Sequence, residues 1–146
     1  MATGTILLTL DGSDFAGRAI DHAERLATAL DERIVLLDVL PDHRGPEPFS
    51  IAGARMSERH DALVHLEEAR SRLLAGGVRE VEIMRVEDNS AAEAITDTAV
   101  QLDCDAVVMA THSRGRLARI FKGSIADQVV RQLKGVPVLL IPPSAA

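Results

Sequence analysis

Two stretches of this chain pair side chains and backbone suited to holding a small charged ligand. The first is Asp11-Gly12-Ser13, directly after the aliphatic run Thr5–Leu10. The Asp11 carboxylate either accepts hydrogen bonds from a ligand's hydroxyl groups or satisfies the amides of its own turn; Ser13 either faces a ligand or caps the following helix. The second stretch runs from Thr111 to Ser124. It carries Arg114, Arg116, Arg119 and Lys122 with no acid among them and ends on Gly123-Ser124, ahead of a helical pattern. A glycine and a hydroxyl residue at a helix start present backbone N–H groups and the positive end of the helix dipole, which favours phosphate. Four cations in one short loop of a chain with net charge −6 mark an anion site, with a solvated basic face as the alternative.

Other chemistry has no such footing. The phosphate loop G-x4-G-K-[ST], the dinucleotide fingerprint G-x-G-x-x-G, the nucleophile elbow G-x-S-x-G and the pairs H-E-x-x-H and C-x-x-C are all missing. His60 and His65 stand five apart, which is wrong for one helical face, and His22 and His43 are isolated, so all four read as surface residues. Acids are plentiful but scattered over helical segments, where solvated faces explain them. With no placed general base and no metal cluster, the chain reads as a binding protein and not an enzyme.

The elements that must position these loops follow from periodicity. Strands are expected over Thr5–Leu10, Ile34–Leu40, Val78–Val86, Ala106–Ala110 and Val136–Ile141. Between them, Ala16, Ala19, Ile20, Ala23, Leu26, Ala27 and Leu30 mark one helix, and Leu63, Leu66, Ala69 and Leu73 a second that stops at Gly76-Gly77. Ser90-Ala91-Ala92-Glu93 fits a capping box for a third, and Ile125, Val129 and Leu133 mark the fourth. Asp42–Ile51, which directly follows Pro41 and carries two prolines and a glycine, reads as a loop. Mostly continuously apolar strands alternating with helices imply an α/β domain over residues 1–146, a doubly wound five-stranded parallel sheet covered on both faces by four helices. Such sheets bind ligands beyond the carboxyl ends of their strands, where the strand order reverses. If the order is 3-2-1-4-5, that point lies between the first and fourth strands, and both candidate loops leave from it.

Composition excludes several partners. Three Phe, no Trp and no Tyr leave no stacking platform for single-stranded nucleic acid, and the negative net charge repels phosphate backbones. The longest apolar runs are too short to span a membrane. The single cysteine, Cys104, forms no internal disulfide and reads as a small buried hydrophobe, so a cytoplasmic location is expected.

Over essentially its whole length the chain resembles the universal stress proteins. The resemblance rests on Leu10-Asp11-Gly12-Ser13, on Leu36-Leu37-Asp38-Val39, and on the stretch from Asp105 through His112-Ser113-Arg114-Gly115 to Gly123-Ser124 and Pro137–Ile141. Nucleotide-binding members carry G-x2-G-x9-G-[S/T]. Here the spacing is intact, with Ala110 and Ser113 in place of the first two glycines and Gly123-Ser124 matching the end. The resemblance implies a regulatory module of the stress response that binds ATP, with Mg²⁺, or a related adenine nucleotide. Asp11 and Val39 would hold the adenosine end; Ser113, Gly123, Ser124 and Ile125 would hold the phosphates, with Ala110 and Arg114 in the same loop. The replaced glycines leave two alternatives: a nucleotide-free interaction protein with an unknown partner, and a slow ATP-hydrolysing enzyme. Finally, Val136–Ile141 would be an apolar edge strand uninterrupted by charge, which predicts a homodimer paired through that strand, as universal stress proteins often form.

Overall fold

The computed structural model describes residues 3–10, 16–40, 49–111 and 124–142. In chain order these form β1 (Thr5–Thr9), α1 (Ala16–Leu30), β2 (Arg33–Leu40), α2 (Phe49–Ala75), β3 (Val81–Glu87), α3 (Ala91–Gln101), β4 (Ala106–Ala110), α4 (Ile125–Gln132) and β5 (Val138–Ile141). The strands make one parallel sheet in the order β3-β2-β1-β4-β5. The expected order therefore holds, with the most polar strand, β3, at one edge and β5 at the other.

Each face of the sheet is buried because the central strands β1, β2 and β4 offer apolar side chains in both directions. Ile6, Leu8, Ile34, Leu36 and Val108 point to one layer, where Ala19, Ala23 and Ala27 of α1 and Leu66, Ala69 and Leu73 of α2 cover them. Leu7, Val35, Leu37, Val107 and Met109 point to the other, under Ala92, Ile95 and Ala99 of α3 and Ala126 and Val129 of α4. The alanine stripe of α1 is fully buried and lets its backbone approach the sheet, which is how a core almost without aromatics fills its space.

Three helices end in the same way. At the end of α2, Gly77 adopts φ +105°, its N–H donates to the Leu74 carbonyl, and the Val78 N–H donates to the Leu73 carbonyl. This is the Schellman arrangement, and here it requires the glycine. Asp31 (φ 56°) after α1 and Asp103 (φ 50°) after α3 take the same left-handed position. Beyond them the Glu32 N–H donates to Ala27 and the Cys104 N–H to Ala99.

Some boundaries differ from expectation. Helix α2 already begins at Phe49, inside the segment expected to be loop, where the proline cluster obscures the start. Strand β3 begins at Val81, because Val78 belongs to the Schellman turn. Strand β5 begins at Val138, although the carbonyl of Pro137 already accepts from the Val107 N–H. At α3 the Ser90 hydroxyl accepts from the Glu93 N–H at 3.2 Å, as a capping box requires. The Ser90 N–H, however, donates to Asp88 Oδ1 at 2.9 Å and not to Glu93.

Candidate functional site

The register of the three central strands opens a notch at the carboxyl edge of the sheet. β1 ends with Thr9 paired to Leu37 on one side and to Met109 on the other. β2 continues through Asp38, Val39 and Leu40 along β3, and β4 continues to Ala110 along β5. Among the described residues, the notch is thus bounded on one side by β2, which runs three residues past the partner of Thr9, and on the other by β4, which runs one residue past it.

The alternation of a parallel ladder says which backbone groups face that space. In β2 the even residues bond to β3, since the Ile34 N–H donates to Glu80 and the Leu40 carbonyl accepts from Asp88. The Arg33 N–H and Leu37 carbonyl instead bond to the β1 side, at Gly4 and Leu10. Val39 has the parity of the latter, so its N–H and C=O turn toward the notch while its side chain packs partly against the α3–α4 layer. In β4 the N–H groups of Val107 and Thr111 donate toward β5, at Pro137 and Ile141. Ala110 has the opposite parity, and its backbone turns toward β1. The β2 wall therefore presents the N–H and C=O of Val39, while on the β4 wall the Ala110 N–H is spent on the Thr9 carbonyl in the ladder and its C=O is the group turned toward the notch.

α4 runs back from this same edge, so its N-terminus opens there. Ser124 is its N-cap, and its hydroxyl oxygen accepts from the Asp127 N–H at 3.1 Å. Ile125, the first helical residue, is about half exposed. Asp127 in the first turn pairs with Arg131 at 3.1 Å, which moderates its charge at a helix end suited to anions.

Val39, Ala110, Ser124 and Ile125 are thus brought to one edge of the sheet. Asp11, Ser113, Arg114 and Gly123, and with them the basic loop and His112, lie outside the described residues. Among the described residues, no group of three or more His, Cys, Asp or Glu could hold a metal ion. His60 and His65 are exposed, as expected.

Sequence reasoning missed one polar feature beside the site. Asp38 and Arg85 are register partners on β2 and β3, and Asp38 Oδ2 accepts from both Arg85 Nε and Nη2 at 3.0 Å. Arg85 Nη2 also donates to the Arg59 carbonyl of α2, and Arg59 pairs with Glu87 at 3.6 Å. This half-buried network fastens α2 to the strands beside the notch. Its only signal in the sequence is opposite charge at matched register, visible once β2 and β3 are known to be neighbours.

Comparison with known proteins agrees with this architecture. The universal stress protein family pattern matches residues 3–142. A universal stress protein of Thermus aquaticus, from the 3' region of a QAH/OAS sulfhydrylase, is 34% identical over 140 residues, covering 94% of this chain and 97% of the relative. Solved structures that share the fold include two complexes with adenine nucleotides. A universal stress protein in complex with cAMP has TM-score 0.77 and 24% identity, over 99% of this chain and 100% of that one. The universal stress protein of Archaeoglobus fulgidus in complex with dAMP has TM-score 0.71 and 23% identity, over 97% and 99%.

Proposed function

This chain belongs to the universal stress protein family, and from that premise we propose that it is a regulatory module, not an enzyme, that binds ATP or a related adenine nucleotide in the notch between β2 and β4. The observation that carries this reading is the pair of outrunning strands, whose Val39 and Ala110 backbones face each other's side of the short β1. A purine edge needs such main-chain donors and acceptors, and the capped start of α4 on the same edge suits phosphate. That two fold relatives are complexes with cAMP and dAMP supports the choice of an adenine ligand. In this reading Asp11 and Val39 hold the adenosine, Ala110 and Ser113 form the floor of the phosphate loop, Gly123, Ser124 and Ile125 supply N–H and O–H donors, and Arg114 adds charge. Mg²⁺ would arrive on the phosphates of ATP.

A second reading has its own observation. Ala110 and Ser113 replace two glycines of the nucleotide-binding pattern, which favours a nucleotide-free interaction protein of the same family. In either case we propose a cytoplasmic homodimer of this one domain, joined along β5, where Leu139 is 41% exposed on an uncharged edge strand. The separating experiment is to release and identify, by mass spectrometry, any nucleotide that co-purifies with the protein, followed by calorimetric titration with ATP, ADP and AMP. Stoichiometric adenine nucleotide, or saturable binding of one, supports the first reading; clean protein and flat titrations support the second.

A further inference from the structure

At the opposite, amino edge of the sheet the three Schellman turns place three residues in equivalent positions, one past the left-handed residue. That position ordinarily carries an apolar side chain packed back on its helix. Val78 and Cys104 fill it in that way, 3% and 5% exposed. The third is Glu32, 8% exposed, and its Oε2 is buried and meets no hydrogen-bond donor among the described residues. An acid therefore occupies a hydrophobe's place.

Its neighbour is a second acid. Asp105 Oδ2 and Glu32 Oε1 converge on the space over Gly4, where a methyl group would overlap the Asp105 carboxyl and lie 3.0 Å from Glu32. Glycine at position 4 is what leaves room for the pair. The Asp105 N–H donates to the Thr5 carbonyl and the Arg33 N–H to the Gly4 carbonyl, so both acids sit on backbone pinned to the start of β1.

We propose that Glu32 and Asp105 share one proton and form a pH-sensitive clasp that ties the α1–β2 and α3–β4 turns to the entrance of β1. Two ionised carboxylates at this spacing, one of them cut off from water, cannot coexist cheaply, and a shared proton turns repulsion into a hydrogen bond. Among the described residues, the other charged groups of the segments meeting here supply no counter-ion to the pair. Arg33 on β2 donates Nε to Thr5 Oγ1 at 2.8 Å and Nη1 to Glu82 of β3 at 3.2 Å. Asp31 is held by Arg79, ahead of β3, at 3.1 Å. Asp103 adds negative charge from the turn before β4, and the Thr3–Thr5 segment contributes no charge. Cys104 stays a neutral thiol: burial, the dominant cause, pushes it up to about 11, with Arg33 opposing and the three nearby acids adding to the rise. Burial first, then the hydrogen bond and the charge of Asp105, raise the Glu32 carboxyl to about 7.

The sign of the effect follows. The folded state holds a proton that the unfolded chain releases near the ordinary value of 4.5. The clasp's stability is therefore fully present below about pH 4.5 and is lost as pH rises through about 7. Between pH 5 and 6.5 the unfolding constant of the wild type should rise about sevenfold per pH unit relative to Glu32→Gln, whose amide can donate to the Asp105 carboxylate without a titrating proton. Denaturant unfolding of both proteins from pH 5 to 8.5 measures this. A second measurement needs no variant: the side-chain carboxyl carbon of Glu32, followed by NMR in wild type, should titrate near neutrality, and in Gly4→Ala, where the methyl displaces Asp105, it should titrate lower. A Glu32 carboxyl titrating below pH 5 in the wild type, or a Glu32→Gln profile parallel to that of the wild type, would overturn the proposal.

Discussion

Replacing Ser124 by aspartate separates the two roles proposed for this residue. In the structure its side-chain oxygen caps α4 by accepting from the Asp127 N–H. Aspartate caps a helix as well as serine does, whereas Ser124→Ala should cost about 1 kcal/mol of stability. The new charge gains a few tenths of a kcal/mol from the helix dipole and loses a similar amount against Asp127, so Ser124→Asp should unfold within about 0.5 kcal/mol of the wild type. Toward a bound triphosphate the balance differs. One negative charge about 4 Å from another costs about 1 kcal/mol in water and about 4 kcal/mol at an effective dielectric of 20. ATP affinity should therefore fall at least several-fold, and by a hundredfold or more if the site is shielded from solvent, while adenosine affinity changes by less than about twofold. Calorimetric titration of both ligands at low and high salt is the assay, and added salt should narrow the difference. Equal losses for ATP and adenosine, or no loss for either in a stably folded variant, would refute the placement of phosphate at the start of α4.

Three further expectations test other parts of the account. Ser113→Gly should change ATP affinity, tightening it where the serine limits backbone freedom and weakening it where its hydroxyl holds a phosphate; titration of the two proteins side by side measures it, and no response in either direction contradicts a site in this loop. Leu139→Lys should convert a dimer to a monomer in light scattering with little loss of protomer stability, since this side chain is already partly exposed; a monomeric wild type contradicts the β5 interface. Leu73→Ala, at a fully buried position between α2 and the sheet, should lower stability by about 2–5 kcal/mol in denaturant unfolding, and a loss under 1 kcal/mol would contradict the packing described.

The alternation of apolar strands and helices was legible because the three central strands are buried on both faces and the helices on one, so hydrophobic pattern and structure are the same constraint. Strand order is different: nothing in the residues of β1 says whether β2 or β4 lies beside it, and the order rested on an assumption that the register bears out. What depends on register was invisible for the same reason. Asp38 and Arg85 are 47 residues apart in the chain, and Glu32 and Asp105 meet only because the turns before β2 and β4 flank the start of β1. Scattered acids read as solvated faces, and that holds for those on exposed helix surfaces but fails for Glu32, which lies in a turn. The start of α2 was hidden by prolines that precede a helix as readily as they fill a loop. Of the site, the sequence motif supplied residue types, while the direction of the Val39 and Ala110 backbones came from ladder parity alone.

The central claim is that an adenine nucleotide lies in the notch between β2 and β4, and amide chemical-shift mapping during an ATP titration tests it most directly. The account predicts saturable shifts concentrated at Leu10, Val39, Ala110, Thr111 and Ile125, on the carboxyl edge, with Gly4, Glu32 and Cys104 at the amino edge unmoved. Shifts absent at millimolar ATP, or confined to residues away from Val39 and Ala110, would contradict it.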